Sequence, residues 1–148
     1  ANENAVVYRS KVQAEGGEAM AAIPGANTRA SGVLTGNLVS LRGLDETELA
    51  CSVLPANSLA GRVVLIQRGT CEFETKLNVA MLAGAIGAIV YGSAAAPQEI
   101  FVMGTGRAVL PSVMVKRADG LELRRRLEAS SPLGLSVELA PRPFAADP

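Results

Sequence analysis

The sequence predicts an α/β fold: a sandwich with a mainly parallel sheet and two helices on one side. Three observations predict it. Arg62-Val63-Val64-Leu65-Ile66-Gln67 is a short β-branched run with Gly61 before it and Gly69 soon after it, the pattern of a buried strand. The apolar period then switches, because Phe73, Leu77, Ala80, Met81 and Gly84 fall on one face of a helix. From there to the end strand-like and helix-like segments alternate, which calls for parallel pairing through right-handed crossovers.

Taken in order, residues 1–30 form an irregular approach segment. Ala5-Val6-Val7-Tyr8 is a possible first strand, and Gly16 to Arg29 is small and polar. The body of the domain spans 31–140. Val33, Leu34, Leu38, Val39 and Leu41, broken by Gly36, suggest one strand or a bent pair. Gly43 to Ser58 reads as a loop with an acidic cluster at Asp45, Glu46 and Glu48. The strand 62–67 and its helix follow. Glu72 and Glu74 suit the positive end of that helix, Glu72 and Lys76 stand in the favourable i, i+4 order, and Gly84 is a plausible stop. Ala88-Ile89-Val90-Tyr91 is a second buried strand. Gly92 to Arg107 is a loop. Leu110 to Val115 is a third strand, Asp119 to Leu127 a second helix, and Leu133 to Leu139 a last, alternating strand. Residues 141–148 carry three prolines and read as an exit linker.

Composition narrows the function. The 148 residues form one domain, large enough to bury a core without metal. There is no histidine, which removes Ser-His and Cys-His nucleophile pairs and histidine metal sites. Two cysteines alone cannot close a structural zinc site. No carboxylate pair stands out as acid and base, and no cofactor is called for. Fourteen basic residues balance fourteen acidic ones, so no net field attracts nucleic acid. Leu77 to Gln98 carries no charge up to its end and approaches the length of a membrane span. It is poor in large side chains and changes period midway, so helix, turn and strand is preferred and no membrane insertion is expected. The first residues lack the pattern of a signal peptide, which suggests a mature or excised segment.

Cys51 and Cys71 are the only thiols. Paired, they would stabilise the fold by about 3 kcal/mol on the chain-entropy model and would fit an oxidising compartment. Unpaired, they would fit a reducing cell.

Residues 61–76, from the buried strand through Arg68-Gly69-Thr70-Cys71-Glu72-Phe73 to Lys76, resemble the central motif of the protease-associated (PA) domain family. The match continues through Asn78, Ala83-Gly84-Ala85 and Ile89-Val90-Tyr91, and resumes at Leu110 to Val115 and Ala118-Asp119-Gly120. The resemblance covers roughly 33–139. It implies a PA-type swivelling β/β/α sandwich, a Cys51–Cys71 disulfide and no catalytic activity. It also implies partners: the catalytic domain of a parent protease, and a peptide or protein substrate. The segment 54–61 and the exit tail look most like inserts in secreted bacterial subtilisin-like serine proteases, which places the chain outside the cell. Two rivals are a luminal peptide-binding domain of a sorting receptor and an insert of a zinc aminopeptidase. Relatives often carry Ser where Lys116 stands, so the second helix is expected to start without a side-chain cap.

Within this frame Arg68, Gly69 and Thr70 are candidate peptide contacts. Alternatively, Arg68 bonds loop carbonyls and Gly69 supplies a positive φ. Ile100, Phe101 and Met103 are further contact candidates, because the apolar run 100–103 in a Gly/Ala/Pro loop needs cover. The other reading is an extra strand on the core. Phe73, Lys76, Gly84, Asp119 and Gly120 are read as structural, with Phe73 a core anchor and Lys76 paired to a carboxylate. Gly104-Thr105-Gly106 begins like a phosphate loop but lacks the third glycine and a preceding strand. Arg124, Arg125 and Arg126 read as a solvated helix face.

Overall fold

The computed structural model describes residues 10–28 and 31–139; the Ala5–Tyr8 strand and the exit linker fall outside them. Seven strands and two helices follow in the order β1 (Ser10–Ala14), β2 (Met20–Pro24), β3 (Gly32–Val39), β4 (Val63–Gln67), α1 (Phe73–Leu82), β5 (Gly87–Tyr91), β6 (Ser112–Val115), α2 (Arg117–Ala129) and β7 (Leu133–Leu139). The sheet closes on itself as β1-β2-β6-β5-β4-β3-β7. Neighbours from β3 through β6 run parallel, and the remaining pairs, including β1–β7, are antiparallel.

The expected sandwich is therefore a closed barrel, and the reason lies in the first thirty residues. Met20–Pro24 lies within the stretch Gly16 to Arg29, read from the sequence as irregular because it is small and polar. It forms a strand because β1 and β6 offer it ladder partners on both sides. With β1 and β2 in place no strand is left as an open edge. The closed sheet thus begins ahead of residue 31. Gly32–Val39 is one strand rather than a bent pair. Gly36 keeps it straight against its neighbour: a Cβ there would meet Ile86 Cδ1 at 3.3 Å.

The two helices do not share one side. Along β4, β5 and β6 the side chains alternate between two cores. Val64, Ile66, Val90 and Met114 join Leu77 and Ala80 of α1 outside the barrel. Val63, Leu65, Ile89, Tyr91, Val113 and Val115 join Leu123 of α2 and the inner faces of β1 and β7. Strands apolar at nearly every position need cover on both faces, and one helix goes to each. The run 77–98 resolves into helix, turn and strand, and no helix among the described residues is long and apolar enough to cross a membrane.

Two glycines set the spacing. Gly84 (φ +98°) ends α1, and a Cβ there would lie 2.9 Å from Ala60 Cα. Gly120 lets α2 lie on β5; a Cβ there would stand 2.2 Å from Tyr91 Cβ. Lys116 begins α2 without a side-chain cap bond, in keeping with the missing Ser.

Candidate functional site

Two loops meet at the carboxyl end of β4, the end of an α/β sheet where ligands usually sit. One runs from Asp45 to Cys51, the other from Gln67 to Phe73. Cys51 and Cys71 join them in a disulfide, with Cα atoms 5.8 Å apart. Lys76 joins them a second time. It is fully buried, and its Nζ donates to the carbonyls of Leu49 (2.8 Å), Gln67 (2.9 Å) and Gly69 (2.7 Å). The expected ion pair with Glu72 does not form. α1 turns Lys76 inward, where three carbonyl dipoles take the place of a carboxylate. Burial pushes its pKa down to about 8, with the charge of Asp45 opposing the shift.

The loops so held are unusual in backbone. Glu48 (φ 60°), Ala50 (φ 56°) and Thr70 (φ 70°) are left-handed without being glycine, and Gly69 has φ 130°. Such residues persist only where their surroundings over-determine them. Asp45 helps to impose the turn by accepting from Thr47 N (3.0 Å), Thr47 Oγ1 (2.5 Å) and Ala50 N (3.0 Å). Burial pushes the Asp45 carboxyl up, but these hydrogen bonds outweigh it and hold the group below the ordinary range. Sequence reading took this stretch only as an acidic loop. Asp45-x-Thr47 is a turn signal that pointed to its shape.

Beside the disulfide lies an open groove of about 550 Å³, lined by residues 68–74 with Gly104 and Gly106. Arg68, Gly69, Thr70 and Phe73 meet there as a set. Arg68 does not bond loop carbonyls through its side chain. Its guanidinium pairs with Glu99 at 2.6 Å and lies 4.9 Å over the Phe101 ring. Phe101 in turn meets Phe73 edge-on at 5.9 Å. Phe73 is only partly buried, so it is a groove wall as much as a core anchor. Glu74 accepts from Arg107 N at 2.8 Å, and Gly106 leaves room for that carboxylate. The sequence pointed to Glu74 only as a first-turn helix residue, and Glu99 stands in no motif.

The apolar run 100–103 forms no strand. Ile100 and Phe101 pack partly buried against the outer core. Met103 is fully buried, which removes it from the contact set: the run covers α1 with its own side chains. Asp119 and Gly120 lie on α2, against the inner core side. The three arginines are less free than expected. Arg124 pairs with Glu48 at 3.0 Å, Arg125 with Glu122 at 2.6 Å, and Arg126 bonds the Glu15 carbonyl. Among the described residues, no group of three or more Cys, Asp or Glu is placed to hold a metal.

The fold has counterparts among known proteins. The family model described as PA domain matches residues 34–123. The chain belongs to the PA domain family. It is 30% identical over 95 residues to RING finger protein 148 of Bos taurus, covering 61% of this chain and 31% of that protein. In solved structures it is similar to a zinc aminopeptidase from Bacillus subtilis, with TM-score 0.66, 18% identity and coverage of 93% of this chain and 31% of that one. It is also similar to the subtilisin-like protease Apa1 from the Antarctic psychrotroph Pseudoalteromonas sp. AS-11, with TM-score 0.60, 20% identity and coverage of 99% and 34%. The chain thus spans about a third of the length of each of these three proteins.

Proposed function

We propose that this PA domain is a non-catalytic accessory domain of a secreted bacterial subtilisin-like serine protease, and that it selects substrates by holding peptide or protein segments in the Arg68–Phe73 groove. The observation that carries this reading is the rigid groove wall. Gly69 and Thr70 are in left-handed backbone, and their loop is tied down by the disulfide at Cys71 and by Lys76, which bonds the Gln67 and Gly69 carbonyls and, across to the other loop, that of Leu49. A wall ordered in advance lowers the entropy lost on binding. Phe73 and Phe101 offer aromatic surface, and Arg68 offers a charge whose internal partner Glu99 is half exposed and replaceable. The disulfide suits an extracellular setting, and the likeness to Apa1 extends over nearly the whole chain.

The second reading is an accessory domain of a zinc aminopeptidase, favoured by the higher TM-score of that neighbour. Inhibition of the full-length protein by a serine-directed reagent supports the first parent; inhibition by a chelator alone supports the second. The binding role is tested in the same full-length protein with R68A. The kcat/KM for an intact protein substrate is expected to fall about tenfold, the loss of one charged contact, while that for a short chromogenic peptide stays unchanged. Equal values for both substrates in mutant and parent would leave the domain a spacer.

A further inference from the structure

The two sulfurs of the disulfide stand in different surroundings. Both cysteines are partly exposed, but it is Cys71 that lines the groove, the side open to an incoming thiol. Cys51 Sγ faces the buried lysine, with Lys76 Nζ at 3.9 Å and the carbonyls of Leu49 and Gly69 at 3.8 and 3.9 Å. A thiolate formed at Cys51 would lie beside an ammonium group already in place, attracted by its charge although its three N–H groups donate to carbonyls; among the described residues no cation makes a hydrogen bond or ion pair with Cys71. In thiol–disulfide exchange the sulfur better stabilised as a thiolate leaves more readily, and the accessible sulfur is the one attacked. Both criteria select the same polarity.

We propose that Cys51–Cys71 is a thiol-exchange site of fixed polarity, in which a small external thiol becomes attached to Cys71 and Cys51 is released beside Lys76. The thiolate approaches through the groove and attacks Cys71 Sγ. One S–S bond forms as the other breaks, and the electron pair of the broken bond ends on Cys51. A second external thiolate attacking the outer sulfur of the adduct releases Cys71 and yields the external disulfide. Two electrons thus pass from two thiols to the protein, and no other oxidant or reductant enters. Cleavage also leaves Lys76 as the remaining tie between the two loops, so the groove wall at Thr70 is held less firmly. That last consequence bears on ligand binding only if the groove reading above holds; the polarity of exchange stands apart from it.

The test is the site of the adduct. The folded, oxidised domain is exposed briefly to reduced glutathione, free thiols are trapped with N-ethylmaleimide, and both cysteines are mapped by mass spectrometry. Glutathione is expected on Cys71 and maleimide on Cys51, in excess over the reverse by about tenfold or more. K76R should keep the bias and K76Q should erode it. Equal labelling of the two cysteines, an excess of glutathione on Cys51, or reaction only after unfolding would each overturn the proposal. The result for the parent sequence decides the polarity without any variant.

Discussion

Lys76 shows how one buried charge organises a surface. An ammonium group with no water must find acceptors, and three carbonyls from two loops supply them. The consequence for stability has a definite sign. Its folded pKa, about 8, lies below the ordinary 10.5. Between those values the unfolded chain binds a proton that the folded chain lacks, so this group's contribution grows as pH rises through that window and is lost as pH falls through 8. Tyr91 acts in the opposite sense. Burial first, then the charge of Glu48, pushes its hydroxyl above 10.0, so its contribution is complete below that value and fades above it. Denaturant unfolding of the parent and K76M between roughly pH 8 and 10 should therefore show the parent gaining on the variant, by at most about 1.4 kcal/mol per pH unit. A constant difference between them across that range would show that Lys76 titrates alike in both states.

At the scale of elements, packing decides what propensity does not. Gly120 is in the interior of α2, where alanine would favour the helix by about 1 kcal/mol. Yet a Cβ at that position would stand 2.2 Å from Tyr91 Cβ, a clash that the helix can relieve only by moving off β5. Overpacking of this kind costs about 1–3 kcal/mol, so G120A should lower the melting temperature despite its better propensity. A raised melting temperature would mean that α2 rests on β5 less closely than described. The same balance explains what could be read in advance. Val63–Gln67 announces itself by a continuous β-branched run and Leu133–Leu139 by alternation, while the α1 stripe holds at Leu77 and Ala80 but not at Met81, which is exposed. Met20–Pro24 does not announce itself, because its strand character comes from partners far off in sequence. Continuous apolar runs signalled burial on both faces of β4 and β5, but not which helix would cover which face.

For the whole molecule, barrel closure joins residues 10–24 to the segment that carries the motif, so the site stands on a sheet without open edges. The site was legible only in part. Arg68, Gly69, Thr70, Cys71 and Phe73 are neighbours in sequence and remain neighbours in the groove. Gly104 and Gly106 reach it, and Glu99 reaches Arg68, from a loop whose path no local pattern specifies. Met103, read as a contact, is instead fully buried in the outer core, a place that a flexible apolar side chain fills readily. The outer face of β1, β7 and β3 offers a second concavity, lined by Gln13, Thr35, Asn37 and Ser136 among others, but it lacks aromatic groups and the charge of Arg68. The central claim, that the Arg68–Phe73 groove is where substrate is held, is tested most directly by chemical-shift mapping. The isotopically labelled domain would be titrated with unstructured peptides from a protein that the proposed parent protease would cleave. Shifts confined to residues 68–74, Glu99, Gly104 and Gly106 are the expected result; shifts centred on Gln13, Thr35 and Ser136, or none at saturating peptide, would contradict it.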